Sequence, residues 1–90
     1  MSDTIDELVR ALVAQEHAEE RLARAAHALA EAEERAEDEP DAAEVERCRK
    51  LHEAAEAAVG FARGRRRELE AQLDPAEVVR AYSQAAVGRR

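Results

Sequence analysis

His27, Glu31, Cys48 and His52 are the residues whose types could do chemistry together. A thiolate, two imidazoles and a carboxylate form a donor set suited to zinc or another transition metal. Glu31 follows His27 by one helical turn, His52 follows Cys48 by one turn, and a hairpin turning at Glu39 and Pro40 would lay His27 near His52. Cys and His at i, i+4 also arise by chance. The three histidines are preceded at i−3 by Ala14, Arg24 and Arg49, so the Glu-x-x-His signature of di-iron bundles is missing. The reading is seam or surface residues, with no metal and no cofactor. Catalytic sets are equally scarce. Ser2 and Ser83 are the only serines, and there is no Gly-rich phosphate loop and no nucleophile elbow. The expectation is a protein that is not an enzyme.

Carboxylates are the second chemical feature. Between Glu31 and Glu46 nine acids face one base, Arg35, a balance of −8, while the other residues hold twelve acids and thirteen Lys or Arg. Glu33, Glu34 and Glu37 fall where a first helix should end, and there the helix dipole disfavours each by up to about 1 kcal/mol. Local stability does not account for acids so placed, whereas a basic partner or a bound cation would. Asp38, Glu39, Asp41 and Glu44 are the candidate contact residues of this acidic tip. A net charge of −7 argues against direct nucleic-acid binding. No apolar run approaches the roughly 20 residues of a membrane span, and no signal-peptide core follows Met1. Cys48 is the single cysteine, which leaves no internal disulfide and makes a reducing cytoplasm the expectation. Thirteen Arg against one Lys, with abundant Ala, is the composition of high-GC bacterial coding.

These residues must be positioned by helices. Hydrophobic content is 46%, but 22 of those residues are Ala, and aromatics are limited to Phe61 and Tyr82. At about 25 cal/mol per Å², alanine contributes far less than Leu on burial. Ala, Glu, Arg and Leu favour helix strongly, so the chain forms helices readily and cannot build a wide core. The expected fold is all-α, a single domain over 1–90. It is an antiparallel two-helix coiled-coil hairpin, about 4–38 and 41–73, with a short third helix at about 75–87.

The first helix should open at Thr4, with Thr4-x-x-Glu7 as a capping box. Leu8, Gln15, Leu22, Leu29 and Ala36 recur every seven residues, and Ala11, Ala18, Ala25 and Ala32 fill the intervening positions. That is a seam of leucine alternating with alanine. Ile5, Leu8, Val9, Leu12 and Val13 spread over about half the circumference, wider than one seam needs. Two occupants suit that patch equally: a second copy, or the third helix. The latter starts at Asp74-Pro75-Ala76-Glu77, carries Val78, Tyr82 and Ala85 as its stripe, and ends at Gly88.

The second long helix follows Pro40, with Asp41-x-x-Glu44 as its capping box. Val45, Cys48, His52, Ala55, Val59, Ala62, Arg66, Leu69 and Leu73 keep an unbroken 3-4 spacing. His52 and Arg66 inside that register fit a two-helix seam open to water. Gly60 and Gly64 cost about 1 kcal/mol each relative to Ala, and close approach of the first helix near Ala18 is the favoured reason for them, ahead of a kink.

Two families share parts of this pattern. The outline of a long helix, a second helix and a short third one resembles the all-helical chorismate mutases, which hold a dicarboxylate with several Arg and a Lys. Arg10, Arg21 and Arg24 would be compared with that set, but the only lysine is Lys50, past the turn. Separately, Gly60-Phe61-x-x-Gly64-Arg65-x-x-x-Leu69-Glu70-Ala71-x-Leu73-x-x-Ala76-x-Val78 resembles the descending helix of the N-terminal coiled coil of Gre-type transcript-cleavage factors. Asp38-x-x-Asp41-x-Ala43 likewise resembles the tip of DksA-like channel binders. The resemblance implies an acidic tip that enters the RNA polymerase secondary channel, with Asp41 and Glu44 as the tip acids and Asp38 as a further candidate. The residues themselves lead first to a non-enzymatic interaction or assembly module. It would be a homodimer completing a four-helix bundle, joined through Ile5, Leu8, Val9, Leu12, Val13 and Tyr82, with the acidic tip offered to a basic or metal-containing site on a protein partner.

Overall fold

The computed structural model describes residues 3–88, which form three helices, α1 (Asp3–Asp38), α2 (Ala42–Ala71) and α3 (Pro75–Val87), with no strand among them. Met1, Ser2, Arg89 and Arg90 lie outside the described residues.

α1 and α2 form the hairpin. Its register is fixed by cross-helix pairs: Arg35 with Glu44, Arg66 with Gln15 and Arg63 with Glu19. Every seam position on α1, from Leu8 through Ala36, is buried or half-buried, and so is every one on α2 from Val45 to Leu73. The 3-4 spacing therefore gives the packed face directly, because residues so spaced share one side of a helix. His52 and Arg66 sit in that seam half-buried, at its wet edge.

The ends of the elements have separate causes. α1 already includes Asp3, so Thr4 lies inside the helix instead of opening it, with Asp3 and Asp6 as the first-turn acids. The Asp41 carboxylate caps α2 by accepting from the Glu44 amide at 3.1 Å. Only that half of the expected box forms, since the Glu44 carboxylate turns across the hairpin to Arg35. α2 stops at Ala71, two residues before the expected end. Asp74 precedes Pro75 and must be extended, and it is, at φ −80° and ψ 165°, so Gln72 and Leu73 are spent on the turn. Asp74 and Glu77 then form a complete capping box, with Pro75 beginning α3.

α3 folds back on its own chain and covers the hairpin base. Ile5, Leu8, Leu69 and Ala81 are at most 1% exposed and, with Ala11, Leu12 and Ala85, form the one buried cluster among the described residues. Along the rest of the hairpin the buried apolar residues are Ala18, Ala32 and Val59. The shape follows. The molecule measures 57 × 25 × 16 Å, with a radius of gyration of 17.5 Å against about 12 Å for a compact chain of this length.

Gly60 and Gly64 do not serve close packing. A methyl group on either would meet nothing within 4 Å, and α2 runs through both as continuous helix. Neither helix approach nor a break in the helix explains them.

Candidate functional site

Three surfaces hold the residues of interest: the base, the turn, and an open face of the hairpin shaft.

At the base, α3 occupies the wide apolar patch in cis. Ile5, Leu8 and Leu12 are closed off within the chain, at 1%, 0% and 7% exposure, because α3 lays Ala81 and Ala85 against them. Val9 and Val13 are half-buried. As the chain stands, those leucines and Ile5 have no surface left to give a partner. Tyr82, 42% exposed, pins α3 to α2. Its hydroxyl donates to Glu70 and accepts from Arg66 at 3.3 Å, and Arg66 also reaches Gln15 at 2.8 Å and Glu70 at 3.2 Å. Loss of water around the phenol, then the bond to Glu70, push the Tyr82 pKa up, while Arg66 opposes them. The Arg66 pKa is raised as well, first by its bond to Tyr82.

At the turn, Asp38, Glu39 and Asp41 are exposed at the tip of the rod. Two of the four candidate tip acids have local tasks: Asp41 caps α2, and Glu44 binds Arg35. Arg35 also lies 4.0 Å from Glu31, so one guanidinium offsets acids on both helices and its pKa is raised, chiefly by Glu44. Of the acids in the last turns of α1, Glu31 is met in this way; among the described residues Glu33, Glu34 and Glu37, which the helix dipole disfavours, gain no such partner. The exposed Asp38 and Glu39 are the tip acids without such a task.

The histidines and Cys48 do not converge. His27 points outward, its side chain 76% exposed and 2.9 Å from Glu31, while His52 pairs with Glu56 at 3.3 Å. No three His, Cys, Asp or Glu side chains among the described residues come together as a metal-binding group. No helix of the described residues is long and apolar enough to cross a membrane.

The third surface went unread in the sequence. Leu51, Ala54, Ala58 and Phe61 recur at three- and four-residue steps on α2, forming a second stripe beside the seam. Leu51 is 61% exposed and Phe61 80%. With Ala25 and Ala28 of α1 and Cys48, Leu51, Ala54 and Ala58 of the stripe line an open groove of about 450 Å³, and Phe61 lies outside that lining. The groove lies away from α3: Leu12, which meets α3, and Ala28 are sixteen residues apart, about 160° round a helix that turns 100° per residue. Arg21 and Arg24 border it on one side, and Arg47 and Lys50 flank Leu51 on the other. Among the described residues none of these four bases is in an ion pair with a carboxylate. The three- and four-residue spacing was the available signal, but Ala25, Ala28, Ala54 and Ala58 count for little in any reading of hydrophobic pattern.

Comparison of the chain with family models, curated proteins and solved structures gave no match. The geometry of these three surfaces is therefore what bears on function.

Proposed function

We propose that the protein is a non-enzymatic helical-hairpin module for protein–protein interaction and assembly, working in the cytoplasm and joining to a second copy through the open face of the shaft. The observation that carries this reading is the groove beside Leu51, where a large apolar side chain stands 61% exposed among alanines and is bordered by unpaired bases. Apolar area exposed in one contiguous stretch with a polar rim is the usual form of a contact surface. Docking would leave the base as it is, since α3 already fills it, and would leave the acidic turn projecting.

Sedimentation of the purified chain over a wide concentration range tests the reading. The expected result is a reversible dimer that Leu51→Glu converts to monomer without loss of helical circular dichroism, because Leu51 takes no part in the monomer core. A wild-type chain that stays monomeric at millimolar concentration overturns self-assembly.

A second reading rests on the exposed carboxylates of Asp38 and Glu39 at the end of a slender rod, the geometry needed to reach into a channel. It makes the chain a regulator of the Gre-like or DksA-like type at the RNA polymerase secondary channel. An Asp38→Asn, Glu39→Gln variant, which leaves the Asp41 cap and the Arg35–Glu44 pair in place, should then lose any effect on transcript cleavage or initiation, and an unchanged effect removes the tip from the mechanism.

A further inference from the structure

Resting on the self-assembly reading, we infer that the two copies meet antiparallel across the open face, about a twofold axis at Ala54 and Ala55, with Arg21 of each copy set against Glu31 of the other. Three observations lead there.

The first is area. The chain exposes 6382 Å². A compact monomer of 10.0 kDa exposes about 5,200 Å² by the size scaling of folded proteins. The excess, about 1,200 Å², is of the order that each partner of a standard interface buries, about 800 Å². The open face, and not the already closed base, is where this chain can lose it.

The second is charge, which selects the direction. A twofold along the rod would stack two acidic turns, each with a balance of −8 between Glu31 and Glu46. A twofold across the rod separates the turns and slides acids of one copy over bases of its partner.

The third is spacing, which fixes the register. Leu51 and Ala58 are seven residues apart, with Ala54 and Ala55 midway. A twofold at that midpoint seats each Leu51 in the shallow place left by the partner's Ala58, a knob meeting a hole. The small side chains at the axis let the helices come close. The same operation brings Cys48 level with Phe61 of the other copy. On α1, Ala26 lies about level with Ala54 and Ala55, between the levels set by the Arg35–Glu44 pair and by the Arg66–Gln15 and Arg63–Glu19 pairs. Arg21 then comes opposite Glu31 of the other copy, and Arg24 opposite Ala28, about one turn from it. Glu31 is half-exposed, and Arg21 of the other copy would join the His27 and Arg35 contacts it already makes.

The axis lies between the twelfth and thirteenth residues after Ala42, so at 1.5 Å per residue the two turns end up about 35–40 Å apart. Spin labels at a Glu39→Cys site, in a Cys48→Ala background, should report that separation in the dimer; a distance below about 20 Å overturns the antiparallel arrangement. Arg21→Glu should raise the dimer dissociation constant about tenfold, because twofold symmetry applies each exposed pair twice. Arg21→Glu with Glu31→Arg should bring it back to within about threefold of wild type. A dimer indifferent to Arg21→Glu, or not rescued by the double change, overturns this register while leaving self-assembly standing. A chain that is monomeric throughout overturns both.

Discussion

The base and the shaft of this rod are built from the same two helices and differ in what covers them. At the base three helices meet, and Ile5, Leu8 and Leu69 lose essentially all contact with water. Along the shaft two helices meet, Leu22 and Leu29 keep part of their surface, and full burial falls to Ala18, Ala32 and Val59. A two-helix seam has no third side, so large side chains placed there stay half wet. The difference teaches that α3 sets where the core is, while helix propensity and cross-hairpin pairs carry the rest. It also separates a finished surface from an unfinished one. The base has its cover in cis, and the groove at Leu51 has none.

The largest effect should come from breaking the base. Leu8→Ala removes a side chain with 0% exposure and should cost about 2–5 kcal/mol, a large part of the stability of a domain this small. Leu22→Ala, at a half-buried shaft position, should cost less than half as much. Urea titration followed by circular dichroism reads both. Equal losses would erase the distinction between base and shaft. Next comes the joint that holds α3 in place. Asp74→Ala deletes the acceptor of the Glu77 amide and half of a complete capping box, and should cost about 1 kcal/mol. Because α3 covers Ile5, Leu8 and Leu12, the same change should speed hydrogen exchange at the start of α1 more than at the turn. Uniform exchange would mean the base does not depend on α3.

The shaft should respond to substitution in the opposite direction. Gly60→Ala and Gly64→Ala add a methyl group where nothing stands within 4 Å, so each should stabilise the chain by up to about 1 kcal/mol through helix propensity alone. A loss of stability at either site would show a contact there that the free chain lacks, and would point to a partner on that face.

How far the sequence speaks differs between these same regions. The seam was legible from Val45 to Leu73 and from Leu8 to Ala36, because the backbone geometry of a helix alone decides which residues share a face. The breadth of the patch at Ile5–Val13 was legible too, along with the start of α3 at Asp74-Pro75. Which body fills the patch was not, since an apolar stripe such as Val78 and Ala85 fits any apolar face, and chain length across Gln72–Asp74 decides in favour of the same molecule. The glycines misled for a related reason: Gly60 and Gly64 share a helix face, and only the position of α1 shows that this face looks away from it. The acidic turn was legible as charge but not as pairing. Nine carboxylates look unsupported in a row of letters, yet Arg35 and the α2 amide of Glu44 engage three of them once the hairpin closes.

The smallest effect concerns the contact between base and shaft that responds to pH. The Tyr82 hydroxyl donates to Glu70, and burial with that bond raises its pKa above the ordinary 10.0. A phenol whose folded pKa is raised favours folding in its protonated form. That stability is fully present below about pH 10 and is lost as the pH climbs through the folded value, where the phenolate would face the Glu70 carboxylate. Tyr82 is part exposed, so the contribution is modest, about 0.5–1 kcal/mol on the scale of a single hydrogen bond. The phenol absorbance of the native chain should therefore titrate later than that of the urea-unfolded chain. Tyr82→Phe should flatten the alkaline fall in stability while leaving the neutral value lower by the same small amount. If native and unfolded absorbance titrate together, the hydroxyl is in water, and α3 is held in place by apolar packing through Val78, Ala81 and Ala85.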